Sequence, residues 1–144
     1  AGRALPELYA EAQTPWEWHK PIFERCRENG IFGFSTPFDV AAVDFLETLD
    51  VPYYKIASFE ITDLALIRRV AATGKPIILS TGMATLQEIH SAVLAAGWET
   101  NITLLKCVSA YPAKLSSCNL ATISDMLSRF DCDVGLSDHT IGMY

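Results

Sequence analysis

Hydrophobic residues in this chain follow two periods that alternate along its length. From residue 14 onward, stretches with an apolar residue every three or four positions give way to short β-branched runs, with few residues between them. Thr14 to Glu17 (TPWE) has the form of a capping box with Pro15 at the first helical position. Trp18, Ile22, Phe23 and Cys26 then follow at helical spacing, and Gly30 is the stop signal. IFGFST, residues 31–36, predicts a strand. Asp39 is placed to cap a helix whose Val43, Leu46 and Leu49 form one apolar stripe, and Pro52 separates that helix from the strand YYKIAS. Asp63 starts a helix carrying Leu66, Ile67 and Val70, Gly74 ends it, and KPIILS is apolar enough to be a strand covered on both faces. Thr85 to Glu88 (TLQE) is a second capping box, opening a helix through Ile89 and Val93 to Gly97, with the strand ITLLKCVS behind it. Asn119 is the expected cap of the last helix, with Ile123, Met126, Leu127 and Phe130 inward, before the strand DVGLS.

Five strands therefore start near residues 31, 53, 76, 102 and 133. Their separation, about 20 to 30 residues, suits parallel strands joined by helical crossovers. Two α/β architectures satisfy this, a doubly wound open sheet and a (β/α)8 TIM barrel. Open sheets bind ligands at one topological switch point, whereas barrels build a site from the ends of many strands. Here every strand ends in polar candidates: Ser35 and Thr36, Ser58 and Glu60, Ser80 and Thr81, Ser109 and Tyr111, then Ser137, Asp138 and His139. That recurrence favours the barrel. A barrel of this kind takes about 250 residues, so the chain is expected to cover only part of one. It begins without Met and stops where a loop should lead into another helix.

Composition adds limits. Half of the 144 residues are hydrophobic, enough for a sizeable core, and the formal charge of −6 arises from 11 basic against 17 acidic residues. No basic stripe interleaved with aromatics marks a nucleic-acid surface, and neither a membrane span nor a signal peptide is indicated, so a cytoplasmic protein is expected. Cys26, Cys107, Cys118 and Cys132 show no CxxC clustering, which predicts reduced thiols rather than disulfides or a zinc site.

Lys55 lies inside a predicted barrel strand. A buried ammonium is costly unless paired, which points it inward at a phosphate or carboxylate ligand; the alternative is an ion pair with Glu60. Thr36, Ser58, Ser80 and Ser137 offer hydroxyl donors from four strand ends, and with one cation they make the donor set that a small phosphorylated or carboxylated ligand requires. One such hydroxyl alone would simply cap the next turn. His139 has three readings: a metal ligand, a general base, or a histidine hydrogen-bonded within its loop. No HxH or HExxH pair accompanies it, so a metal there would need other ligands. Lys106 is a candidate for a Schiff-base lysine of a class I aldolase if it is desolvated inside the barrel.

FSTPFDVAAVDFLETL, PYYKIASFEITDLALI, GKPIILSTGMATLQEI, ITLLKCVSAYPAK and VGLSDHTIG resemble, in order, motifs of the sialic acid synthase family. The resemblance runs from about residue 15 to the end and is nearest to the pseudaminic acid branch. It implies a TIM barrel of which residues 1–144 hold about strands 3 to 7, with strands 1, 2 and 8 and a C-terminal antifreeze-like domain absent. It also implies a metal-dependent condensation of phosphoenolpyruvate with an open-chain acetamido sugar, by a homodimer in the full-length protein. Thr36, Lys55, Ser58, Ser80 and Ser137 fall around phosphoenolpyruvate, Glu60 and Tyr111 on the sugar, and His139 on one of two histidines that hold Mn or Mg. Ser109 stands where some relatives have an Asn ahead of the Tyr-Pro pair, and is taken as substrate-binding. Lys55, Glu60 and His139 are the expected catalytic residues. The family's second metal histidine, base-like glutamate and further phosphate-binding lysine belong to strands 8, 1 and 2, so this polypeptide alone is expected to be inactive. Phe59, between Ser58 and Glu60, and Lys106, in place of a His of several relatives, fit the branch whose sugar carries a 6-deoxy methyl. An N-acetylneuraminate or legionaminic acid synthase and, last, a non-catalytic barrel fragment are the remaining alternatives.

Overall fold

The computed structural model of the chain describes residues 4–142. The chain divides into two compact units, one up to Gly33 and one from Phe34 onward. The first holds helix α1 (Leu5–Ala12), a 3-10 turn at Trp16–Trp18 and helix α2 (His19–Glu28). α1 buries none of its residues, and of the stripe expected along α2 only Phe23 is buried, with Trp18 and Ile22 exposed. The capping box at Thr14 does not form, because no side chain caps the 3-10 turn or α2. Two prolines explain the shift. Pro15 keeps an extended ψ of 139°, and Pro21 sits in the first turn of α2, where its missing N–H leaves no hydrogen bond unmade. Gly30, at φ +66°, ends the helix as expected.

The second unit alternates helix and strand: α3 (Val40–Glu47), β1 (Tyr54–Ile56), α4 (Leu64–Ala71), β2 (Ile77–Ser80), α5 (Leu86–Ala96), β3 (Ile102–Cys107), a 3-10 turn at Leu115–Ser117, α6 (Ala121–Arg129) and β4 (Asp133–Ser137). The strands form one parallel sheet in the order β1-β2-β3-β4, so each crossover leads to the adjacent strand. Asp39 and Asp63 accept from the backbone N–H groups of Ala42 and Leu66, and the Thr85–Glu88 capping box forms in both directions.

Three expectations fail in this unit. The predicted first strand shrinks to a single bridge between Ser35 and Tyr54 at the edge beside β1, where Lys55 N–H donates to Ser35 O at 3.5 Å. Pro37, two residues on, has no N–H with which to extend the ladder. Asn119 does not cap α6: it takes φ +46° and its carbonyl accepts from Thr122 N–H. Leu127 points outward, because α6 packs on β3 and β4 through Met126 and Phe130, four positions apart. Leu127 lies about 100° round the helix from Met126.

The register decides which side chains share a face. Tyr54 pairs with Ile77 and Ile56 with Leu79, while Ile77 and Leu79 pair with Ile102 and Leu104; all six are buried. Tyr54 identifies this as the helix-covered side, since its hydroxyl donates to Glu47 Oε1 on α3 at 2.8 Å. Lys75 Nζ reaches the same oxygen at 2.8 Å. Burial alone would raise the Glu47 pKa, but these two hydrogen bonds outweigh it and lower it. Alternation sends Lys55, Ile78, Ser80, Thr103, Leu105, Cys107, Gly135 and Ser137 to the opposite face.

Candidate anion-binding site at the strand ends

On that opposite face, at the C-terminal ends of the strands, Lys55 Nζ donates to Ser80 Oγ at 2.5 Å. Burial lowers the Lys55 pKa below that of an ordinary lysine, against the opposing pull of Cys107 and of the Glu60 carboxylate. An ammonium so placed gains from an added anion. The ion pair with Glu60 is not the arrangement adopted. Lys55 is bound to Ser80, Glu60 acts on it as a nearby charge, and Glu60 Oε2 is buried without a hydrogen-bond partner.

One step further along the sheet, Gly82 N–H donates to Ser58 Oγ at 3.2 Å. Ser58 is itself buried. Ser109 Oγ, from the loop after β3, is buried and has no partner. Both hydroxyls close on Gly82, as does Cys107 Sγ, which would lie 3.2 Å from a Cβ at that position. Cys107 in turn lies 3.9 Å from His139 Nδ1. Lys55, Ser80, Ser58, Ser109 and His139 are thereby tied through Gly82 and Cys107 into one group of neighbours. Thr36 follows the Ser35 bridge, level with Lys55 on the next chain segment. Ser80, Ser58 and Ser109 are the members with an orphaned atom or a buried hydroxyl.

His139 is held from several sides. Val108 O lies 2.9 Å from Nδ1 and, being an acceptor only, requires a proton there, so that in the neutral imidazole the lone pair is on Nε2; Ser137 Oγ faces Nε2 at a long 3.4 Å. Tyr111 lies against the ring with centroids 4.3 Å apart, and Ala113 N–H donates to His139 O at 2.8 Å, fastening the loop after β3 to the loop after β4. A metal-binding imidazole is oriented in the same way, by a carbonyl on its other nitrogen. His139 Nε2 therefore fits one ligand position. Among the described residues no group of three His, Cys, Asp or Glu side chains could hold a metal.

Asp138 has a different task. Its two oxygens accept from Thr140 N–H at 2.9 Å and Thr140 Oγ1 at 3.1 Å. These bonds, the backbone one first, lower its pKa and make it a turn former rather than a reactive group. Lys106 is a correction. It pairs with Leu136, shares the face of Ile102 and Leu104, and its Nζ donates to Cys107 O at 3.1 Å. The lysine of a Schiff-base mechanism would have to stand on the Lys55 side, and Lys106 stands on the other. Gly82 and Cys107 were not singled out from sequence as site residues. Cys107 comes to the site face only through the register that pairs Ser80 with Leu105, two residues before it, and nothing in STGM marks a glycine chosen for space.

All four cysteines are free, and among the described residues no helix is long and apolar enough to cross a membrane. A family model described as the NeuB family matches residues 1–144. The chain is 51% identical over 140 residues to the pseudaminic acid synthase of Helicobacter pylori, covering 96% of this chain and 41% of that protein. It is 41% identical over 130 residues to the N,N'-diacetyllegionaminic acid synthase of Campylobacter jejuni, covering 88% of this chain and 39% of that one. Among solved structures, the N-acetylneuraminic acid synthetase of Leptospira borgpetersenii, in complex with citrate, superposes with a TM-score of 0.90 at 34% identity, over 94% of this chain and 48% of that one. The chain thus spans about two fifths of the length of the curated relatives it matches. With its parallel α/β sheet and its polar strand ends, the chain belongs to the NeuB family.

Proposed function

We propose that this chain carries the phosphoenolpyruvate-binding part of a pseudaminic acid synthase, and that its strands are consecutive staves, about 3 to 7, of a (β/α)8 barrel. The barrel reading is supported by four parallel strands in sequential order, each joined to the next by a helical crossover, and by polar groups gathered at the C-terminal strand ends. The reaction joins carbon 3 of phosphoenolpyruvate to the aldehyde carbon of an open-chain 2,4-diacetamido-2,4,6-trideoxy sugar. Water adds at carbon 2, and phosphate leaves with cleavage of its carbon-oxygen bond.

The observation that carries the reading is the Lys55–Ser80 bond, set among Ser58 and Ser109 on the face away from the helices. Lys55 and the hydroxyls of Ser80, Ser58 and Ser137, with Thr36 beside them, bind the phosphate and carboxylate and hold the enol in line for attack. Glu60 and Tyr111 contact the sugar, and the partnerless Glu60 Oε2 is available to one of its hydroxyl or amide groups. His139 Nε2 supplies one ligand to Mn or Mg, and that ion when bound polarises the aldehyde oxygen. The higher identity to the pseudaminic enzyme than to the legionaminic one supports the branch, as does the exposed Phe59 next to Glu60.

The test is made on the full-length protein that contains this chain. Phosphoenolpyruvate is expected to bind, with affinity falling in the Lys55→Ala variant, and the trideoxy diacetamido sugar is expected to be turned over in preference to N-acetylmannosamine. Preference for N-acetylmannosamine overturns the branch, and unchanged affinity in Lys55→Ala overturns the anion site.

A further inference from the structure

Gly82 stands at the centre of the site, yet its backbone does not demand glycine: its φ lies outside the left-handed region. The demand is for space. A Cβ there would meet Ser109 Oγ far inside any allowed contact and Ser58 Oγ at 2.8 Å, and neither neighbour is the far end of a long flexible chain. Two short hydroxyl side chains from two different strand ends have closed onto one bare Cα.

Their protons are the second part of the observation. Ser58 Oγ accepts from Gly82 N–H, so that hydroxyl spends a lone pair on the backbone and keeps its own O–H for another acceptor. Ser109 Oγ is buried with neither donor nor acceptor opposite it. A buried hydroxyl left unpaired costs stability, and Ser109 Oγ, beside a Ser58 whose O–H is still free to donate in the cluster that holds Lys55, points to an absent acceptor.

We infer that Gly82 is a positioning residue: its N–H turns Ser58 into a fixed hydrogen-bond donor, and its missing side chain lets Ser58 and Ser109 act as a pair on the acid ligand. This rests on the anion-binding reading above and deepens it. Neither serine can be set correctly without the glycine, and a methyl on Gly82 would push both hydroxyls out of place. The ligand class is an oxyanion that shares the Lys55 pocket, phosphate or carboxylate, and phosphoenolpyruvate offers both.

The experiment titrates phosphoenolpyruvate into the full-length protein and its Gly82→Ala, Ser58→Ala, Ser109→Ala, Lys55→Ala and Gly82→Ala/Ser58→Ala variants, with melting temperature recorded for each. Gly82→Ala is expected to weaken binding about tenfold, and to weaken it less than that once Ser58 is already Ala, because part of the glycine's effect runs through that hydroxyl and the rest through Ser109. A side chain that merely disturbs packing would lower the melting temperature and would give losses that multiply, and either unchanged affinity or multiplying losses overturns the proposal. Should Gly82→Ala fail to fold, a Ser58→Ala and Ser109→Ala cycle reads the same pair, and independent losses there overturn it. Lys55→Ala separates the two levels: if it too leaves affinity unchanged, the anion site itself is wrong, whereas a loss confined to Lys55→Ala rejects the role of Gly82 alone.

Discussion

The two faces of the sheet are made from the same strands, one residue out of step, and they answer to different requirements. On the helix side Tyr54, Ile56, Ile77, Leu79 and Leu104 are fully buried, and the one hydroxyl among them is satisfied by α3. On the other side Lys55, Ile78, Thr103 and Leu105 are half-buried, and the cluster around Gly82 keeps polar atoms without partners. Close packing defines the first face, since any change of volume there leaves a cavity or a clash. The second gives up stability in order to hold a charge and several hydroxyls ready for a ligand. Adjacent residues can therefore differ completely in what they do, and period-two alternation is what separates them.

Leu79 and Ser80 put that contrast to its strongest test. Leu79→Ala on the helix side is expected to destabilise the fold by about 2–5 kcal/mol in a urea titration, through lost burial and a cavity, with ligand affinity changed only through folding. Ser80→Ala should cost about 1 kcal/mol, the value of one hydrogen bond, and should reduce phosphoenolpyruvate affinity. Equal destabilisation by the two would show that the faces are not distinct. Next in size is Lys55→Ala, for which a loss on the order of 100-fold in phosphoenolpyruvate affinity is expected from calorimetry, the effect of removing a charged hydrogen-bond donor. Its stability should stay level or rise, because a partly desolvated ammonium has been removed.

The lowered Lys55 pKa gives a smaller effect with a definite sign. Below the folded-state pKa the lysine is protonated in both folded and unfolded chains, and the fold bears the whole cost of burying the charge. Between that pKa and the ordinary value of 10.5 the folded form has lost its proton while the unfolded form keeps it, so the cost disappears. The stability of the natural chain relative to Lys55→Met should therefore be flat at neutral pH and rise with pH in the alkaline window just under 10.5. Ligand binding runs the other way. Affinity for phosphoenolpyruvate should decline over the same window as the ammonium is lost, and an affinity that holds steady there would remove Lys55 from the anion site.

How much of this was legible in the sequence follows the same division. β1 to β4 were readable because each combines β-branched residues with turn signals on both sides, and the strand-end residues Ser58, Ser80, Ser109 and His139 do gather. The segment at residues 31–36 has the composition of a strand, but with β1 on one side and no ladder beyond the Ser35 bridge it stays irregular. Composition registers preference, and pairing needs a neighbour. Lys55 and Lys106 look alike in sequence, each a lysine inside an apolar run, yet the register sends them to opposite faces. Leu127 obeys helical periodicity but misses the narrow stripe through which α6 touches the sheet. Gly82 and Cys107 carry no local signal, because what distinguishes them is which side chains from other strands arrive beside them.

The smallest expected difference concerns two helix starts that read alike, Thr14-Pro-Trp-Glu17 and Thr85-Leu-Gln-Glu88. In the second, Thr85 Oγ1 accepts from Glu88 N–H at 3.3 Å and Glu88 Oε2 accepts from Thr85 N–H at 2.7 Å, satisfying two donors that an α-helix otherwise leaves open. The Glu88 pKa is lowered by the hydrogen bonds its carboxylate accepts from Thr85, from the backbone N–H first and then from the hydroxyl at 2.8 Å. Thr85→Ala should cost about 1 kcal/mol of stability, measured by chemical denaturation. In the first, Pro15 and Pro21 move the start of α2 to His19, and Thr14 caps nothing. Thr14→Ala should change stability by less than about 0.5 kcal/mol, the level of an ordinary surface substitution. A cost at Thr14 equal to that at Thr85 would mean that the box forms in solution after all, and that proline placement does not override the capping motif.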